Sequence, residues 1–337
     1  MPTFYKILTL TLLLCSSFII TPANAINPEF EARRTAYIDY ALNNVNSDAL
    51  SIQAARGIPV NQSELSTILA NVSSRSTADF DIIKLIRILM FSHGEYDSQI
   101  LPVLAPLPFW LEANEDNREY WSENHMIMWM ASDWLLHEKY GKVVDSTLDK
   151  RLRHYLKLKI QYGFYEFNST TYAPYCLTGL LNLADFSQDA EIKSLATQAS
   201  QKLLKDELLL LTNNKGVLFP TAGRNYPGKY ESAYGQNHNS LVYLLTGLGE
   251  VENGTSHSGA FLATTTVPVD DVISSWQPKL DTVYTQGHTL QDGINNINNT
   301  MSTKDKVIFQ WSSGAYFHPD VAQSTFQLLK ELNLWGH

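Results

Sequence analysis

Apolar residues recur with a helical period through most of this chain. Residues 29–44 place Phe30, Tyr37, Tyr40 and Ala41 on one stripe, and residues 79–91 put Phe80, Ile83, Ile86, Leu89 and Met90 at helix spacing. The same period predicts helices over 120–138, 145–160, 172–186, 189–213, 237–249 and 320–333. Gly and Pro clusters interrupt the pattern at Gly57-Ile58-Pro59, Pro102 to Pro108, Gly163, Pro220 to Gly228 and Gly254 to Gly259. Residues 255–315 are rich in Thr, Ser and Asn and weakly periodic, which leaves room for short strands or a long functional loop. No stretch reads as a linker and no exact repeat is present. The expectation is therefore a single all-α domain over 26–337. Its rhythm of long helix, loop and long helix suits a bundle, an α-solenoid or a closed ring of helical hairpins.

The first 25 residues depart from this pattern. Lys6 precedes a 14-residue apolar run, Ile7 to Ile20, and Ala23-Asn24-Ala25 has the small-x-small form of a cleavage site. The segment reads as a secretory signal, and the run is too short to span a bilayer. The expected product is secreted or periplasmic, cleaved near Ala25 and without a membrane span. Beyond the leader Cys176 is the one cysteine, so no internal disulfide is available and stability must come from a packed core. With 337 residues, 44% hydrophobic and 18% charged, the chain is long and apolar enough to build one. The net charge is −9, and losing Lys6 leaves 24 basic against 34 acidic residues. That balance argues against a nucleic-acid partner, whose phosphates call for the opposite sign.

The most unusual segment is Tyr120 to Gly141. Ser122 is placed to cap a helix, Glu123 suits its positive end, and Met126 to Leu136 is apolar almost all round, which marks a buried helix. Asn124 and His125 fall in the first turn, where polar groups can face a cavity without entering the core. Taken alone, such a pair is as well explained by end-of-helix residues satisfied by backbone. About 40 residues on, Gly163-Phe164-Tyr165-Glu166 leads through Tyr172 and Tyr175 into a second apolar helix, Cys176 to Phe186.

This order of pieces resembles the (α/α)-toroid polysaccharide lyases: the single-toroid alginate lyases, the heparinase and oligoalginate lyase relatives, and the chondroitin AC lyase-like enzymes. The matching positions are Asn124, His125, Gly163, Glu166, Tyr172 and Tyr175, and the likeness covers roughly residues 118 to 186. The resemblance implies an incomplete (α/α) toroid, no cofactor, no metal, and β-elimination on an acidic polysaccharide or oligosaccharide by a monomer. It implies that Asn124 binds the uronate carboxyl group, that Tyr172 is base, acid or both, and that His125 is the second proton carrier or orients Tyr172. The chemistry asks for these types. A proton α to a carboxylate leaves only when that charge is neutralised, and a positioned acid and base must serve C5 and O4. Arg118, Arg224 or His125 could supply the cation that a tyrosine base needs.

Tyr175 lies one turn beyond Tyr172, placed either for packing or for stacking on substrate; Glu166 could hold a sugar hydroxyl or sit in solvent. A second cluster, Arg224 to Tyr230 with Lys229, offers an arginine fork and the rings of Tyr226 and Tyr230 to an acidic sugar, and His238 opens the next helix. Asp79 and Asp81 read either as an acid pair or as complements to a helix dipole. No metal-ligand spacing such as HExxH is present. Two other readings stay open. An inverting glycoside hydrolase on the same toroid would need carboxylates roughly 6.5–9.5 Å apart, with Glu123 and Glu166, or Asp79 and Glu166, as candidate pairs. A carbohydrate-binding protein would keep the fold without the chemistry.

Overall fold

A computed structural model describes residues 27–113, 118–166, 169–209, 211–212, 217–218, 237–253, 255–276 and 301–335. The leader at 1–25 and the Arg224, Tyr226 and Tyr230 cluster lie outside the described residues. What is described is helical, apart from one two-residue antiparallel ladder that pairs β1 (Leu211–Thr212) with β2 (Val217–Leu218). The helices are α1 (Pro28–Asn43), α2 (Leu50–Ala55), α3 (Gln62–Ser74), α4 (Asp79–Phe91), α5 (Asp97–Leu104), α6 (Glu123–Tyr140), α7 (Leu148–Tyr162), α8 (Ala173–Phe186), α9 (Ala190–Leu209), α10 (Asn239–Thr246), α11 (His257–Thr264), α12 (Asp270–Ser275), α13 (Thr303–Ser312) and α14 (Pro319–Leu332). Among the described residues no helix is long and apolar enough to cross a membrane.

Helices α4, α6, α8 and α11 carry apolar residues on nearly every face, so each must be surrounded by protein. In α6 every residue from Glu123 to Asp133 is buried, and α11 is buried from end to end. Packing runs from α2 to α4, α4 to α6, α6 to α8, α8 to α11, and from α11 back to α2. Helices α1, α3, α7 and α9, each exposed along one side, cover these from outside: α1 lies on α10, α11 and α2, α3 on α4, α7 on α6, and α9 on α7 and α8. The described part of 255–315, where short strands or a loop were the alternatives, is instead α11, α12 and α13. It lacks a period for a physical reason: α11 has no polar face to alternate with.

The helices come close at Gly259, inside α11, where a Cβ would overlap Ser240 Cβ of α10 and the Tyr37 hydroxyl of α1. Gly259→Ala should therefore destabilise the protein by about 1–3 kcal/mol despite alanine's better helix propensity. A denaturant titration of the two proteins measures the difference, and an unchanged midpoint would show that the neighbours yield.

The two ends of the buried helices differ in chemistry. Toward the C-terminal ends of α4, α8 and α11, Arg87 is fully buried. It donates to Thr264 Oγ1 (3.0 Å), Asn182 Oδ1 (3.0 Å), Asp185 Oδ2 (2.8 Å) and the Phe261 carbonyl (3.2 Å). Its guanidinium also lies over the rings of Phe91, Phe186 and Phe261. Arg87 thus ties this end together by hydrogen bonds and ring contacts. The opposite end, where the N-termini meet, carries Asp79, His125, Tyr175 and His257.

Candidate functional site

Three elements bring the first pair together. His125, third residue of α6, places Nδ1 2.6 Å from Asp79 Oδ2 at the start of α4, and its Nε2 lies 3.4 Å from Glu119 Oε2 in the preceding loop. Burial works against the imidazolium, but the Asp79 carboxylate and then Glu119 outweigh it and push the ring up to about 9. Burial raises the Asp79 carboxyl above the usual carboxylate range, and the facing His125 draws it only part of the way back. Asp79 is sealed off, whereas the Glu119 side chain is 39% exposed, so the route from His125 to solvent passes Glu119.

A column of rings extends from this pair. His125 stacks on Phe80 of α4 at 5.0 Å, Phe80 on Tyr175 of α8 at 4.1 Å, and Tyr175 on His257 of α11 at 3.9 Å, with interplanar angles of 23°, 20° and 12°. Two near-parallel partners that close to Tyr175 must occupy opposite faces, since on one face they would overlap. Both faces of Tyr175 are therefore taken, and it offers a ligand its edge and hydroxyl, not a stacking surface. Burial, with the carboxylates of Asp48, Asp81 and Asp79, holds its phenol well above the ordinary value, so it stays protonated. The column joins the first turns of four helices and has a charged end at His125, favourable over the Phe80 face. Its other end is uncharged, because burial pushes His257 down to about 3. Beside it, Lys84 Nζ lies 3.0 Å from Asp48 and 3.8 Å from Asp81, and Arg75 lies 3.6 Å from Asp81.

The remaining residues divide. Asn124 is fully buried rather than facing an open cavity; its Oδ1 accepts from Ser122 Oγ at 2.5 Å, while Nδ2 has no hydrogen-bond partner. Ser122 occupies the N-cap position but spends its hydroxyl on Asn124, not on the helix backbone. Tyr172 is the N-cap residue of α8, half-buried, with its N–H donated to Ser169 Oγ, and it lies near enough to Tyr175 to influence its ionisation. Arg118 sits next to Glu119 in the loop before α6. Glu123 is buried, ion-paired to Lys159, and accepts from the N–H groups of Tyr165 and Glu166 at 2.8 Å. With both oxygens occupied it anchors the 163–166 turn and is no candidate for a general acid. Glu166 is positioned through that anchor.

His238, the N-cap residue of α10, is fully buried and neither ring nitrogen has a partner; burial pushes it down to about 4. Two surface clefts among the described residues, of about 300 Å³ beside Arg34 and Arg56 and about 410 Å³ beside Phe109, Asp133 and Lys142, are lined by none of these residues. Sequence reasoning passed over Glu119, His257 and the stacking role of Phe80. His257 had a readable signal, since Ser256 caps α11 by accepting from Gly259 N, so Ser256-His257 repeats the polar pair at a helix start. Glu119 had none, because its partnership depends on how the loop folds back. The chain matches no protein-family model, no curated protein and no solved structure.

Proposed function

We propose that this chain is an exported polysaccharide lyase, acting on a uronate-containing polymer by β-elimination from an incomplete (α/α) toroid. The cyclic neighbour order of α2, α4, α6, α8 and α11 supports the architecture: consecutive buried helices with their N-termini at one end need an outer helix to return the chain. The observation that carries the chemistry is the placement of His125 between Asp79 and Glu119, two carboxylates that favour its imidazolium. An imidazolium is a poor base at neutral pH but a suitable partner for a substrate carboxylate, and the spare Asn124 Nδ2–H is a second donor for the same group. On this reading His125 and Asn124 neutralise the carboxyl group, Tyr172 takes the C5 proton, and a protonated group returns one to O4. Arg118 is placed to add to the local positive potential.

Purified protein and Tyr172→Phe should be incubated with alginate, heparan, chondroitin, hyaluronan and glucuronan while ultraviolet absorbance of the unsaturated product is followed. The expected result is product from at least one polymer and a loss of roughly 10²-fold or more in the variant, the usual worth of a general acid–base group. The hydrolase reading draws support from the carboxylates of Asp48, Asp79, Asp81 and Glu119 gathered at this end. Release of reducing ends without ultraviolet absorbance would establish it instead. No reaction in either assay would leave a carbohydrate-binding protein.

A further inference from the structure

The uncharged end of the ring column meets a second group of polar side chains. The starts of α10 and α11 touch: Ser258 Oγ donates to the Asn237 carbonyl at 3.3 Å, and Tyr37 Oη both donates to Ser256 O and accepts from Ser256 N at 3.1 Å. At this junction both nitrogens of His238, both amide atoms of Asn239 and Nε2 of His257 are buried without a hydrogen-bond partner. Each such atom costs about 1–3 kcal/mol when left unpaired, and five of them gather on three residues here. A cluster of this kind points to a ligand whose own polar groups complete it. Both imidazoles are kept neutral by burial, so each offers one donor and one acceptor, as the Asn239 amide does. Hydroxyl groups, donor and acceptor at once, match that set. A carboxylate only accepts, and would also face the nearby Asp48.

We propose that His238, Asn239 and His257 form a subsite for an uncharged, hydroxyl-rich sugar unit, three rings along the column from the His125 end where the charged unit binds. This rests on the carbohydrate reading above and adds to it that the ligand carries a neutral sugar close to its uronate. The test is titration calorimetry of the intact protein with two probes of equal length, a hyaluronan oligosaccharide, in which uronate and neutral sugar alternate, and an oligoglucuronate. The hyaluronan probe should bind roughly tenfold more tightly or better, the worth of one or two completed hydrogen bonds. His238→Ala and Asn239→Ala should each remove that preference, whereas His238→Gln, which keeps a neutral donor and acceptor, should retain much of it. Melting curves confirm that the variants are folded, and Asn239, being half-buried, is the safer of the two alanine sites. Equal binding of the probes, no binding of either, or folded variants with an unchanged preference would overturn the subsite. The lyase reading fails separately: selective binding with no unsaturated product from any polymer faults the reaction and keeps the subsite.

Discussion

Arg87→Ala should cost about 3–5 kcal/mol of folding stability, a large share of the roughly 5–15 kcal/mol that holds a domain together. The side chain is inaccessible and ties three helices together through Asn182 and Asp185 of α8 and Thr264 and Phe261 of α11. Its removal strands Asp185 Oδ2 in the protein interior. Asp185 Oδ1 keeps its bonds from Thr265 Oγ1, Thr266 N and Thr266 Oγ1, so the carboxyl group stays inward-facing, now without its cation. The cost is therefore mainly the unpaired charge and the cavity beneath Phe91, Phe186 and Phe261. The double variant Arg87→Met with Asp185→Asn removes both charges and keeps the volume, and should recover part of the loss. Urea titrations of the single and double variants measure this. A single variant within 1 kcal/mol of the parent would mean that water reaches Asp185 and that this end of the helices is not closed.

How far the molecule was legible in its sequence depends on how each helix is buried. The pattern over 79–91 returns α4 with the same bounds, and α8 begins within a residue of expectation, because each has a sharp start and a long apolar run. Helix α6 starts three residues later than its pattern. Tyr120 is apolar in character but belongs to the loop, where its hydroxyl donates to the Pro108 carbonyl. Helix α2 is too short to show a period, and α11 is buried on all sides. Helix α3 carries a readable stripe of Leu65, Ile68 and Val72, diluted by the Ser, Thr and Asn residues between them. For the site, the type of residue was legible and the partnership was not. His125 stood out at a helix start, but nothing local in the sequence links it to Asp79 or to a column assembled from four helices. Tyr175 shows the same limit from the other side: its spacing allowed stacking on a sugar, and only Phe80 and His257 packed on its two faces exclude that.

Asp79→Asn should separate the proton on His125 from the shape of the pair. The substitution keeps the side-chain volume and removes the carboxylate, leaving Glu119, 3.4 Å away and partly exposed, as the acid still facing the ring. Burial, which already opposes the imidazolium, then prevails and brings His125 down from about 9 toward or below its ordinary 6.5. A histidine whose folded value lies above its unfolded one contributes stability that is fully present below pH 6.5 and is lost as pH rises through about 9. The parent should thus lose on the order of 3 kcal/mol across that window, and the variant should lose little, so their stabilities converge at alkaline pH. Burying the Asp79 carboxylate offsets part of the gain in absolute terms, which makes the slope against pH the quantity to measure. If His125 acts as the protonated partner of a uronate, product formation in the parent falls as pH rises through about 9. In the variant that limb moves to lower pH, and turnover at neutral pH drops roughly 10²-fold or more. Chemical denaturation at a series of pH values and a pH–rate profile read the two effects independently. Parallel slopes in parent and variant would show that Asp79 does not hold the proton, and an unmoved alkaline limb would remove His125 from the reaction.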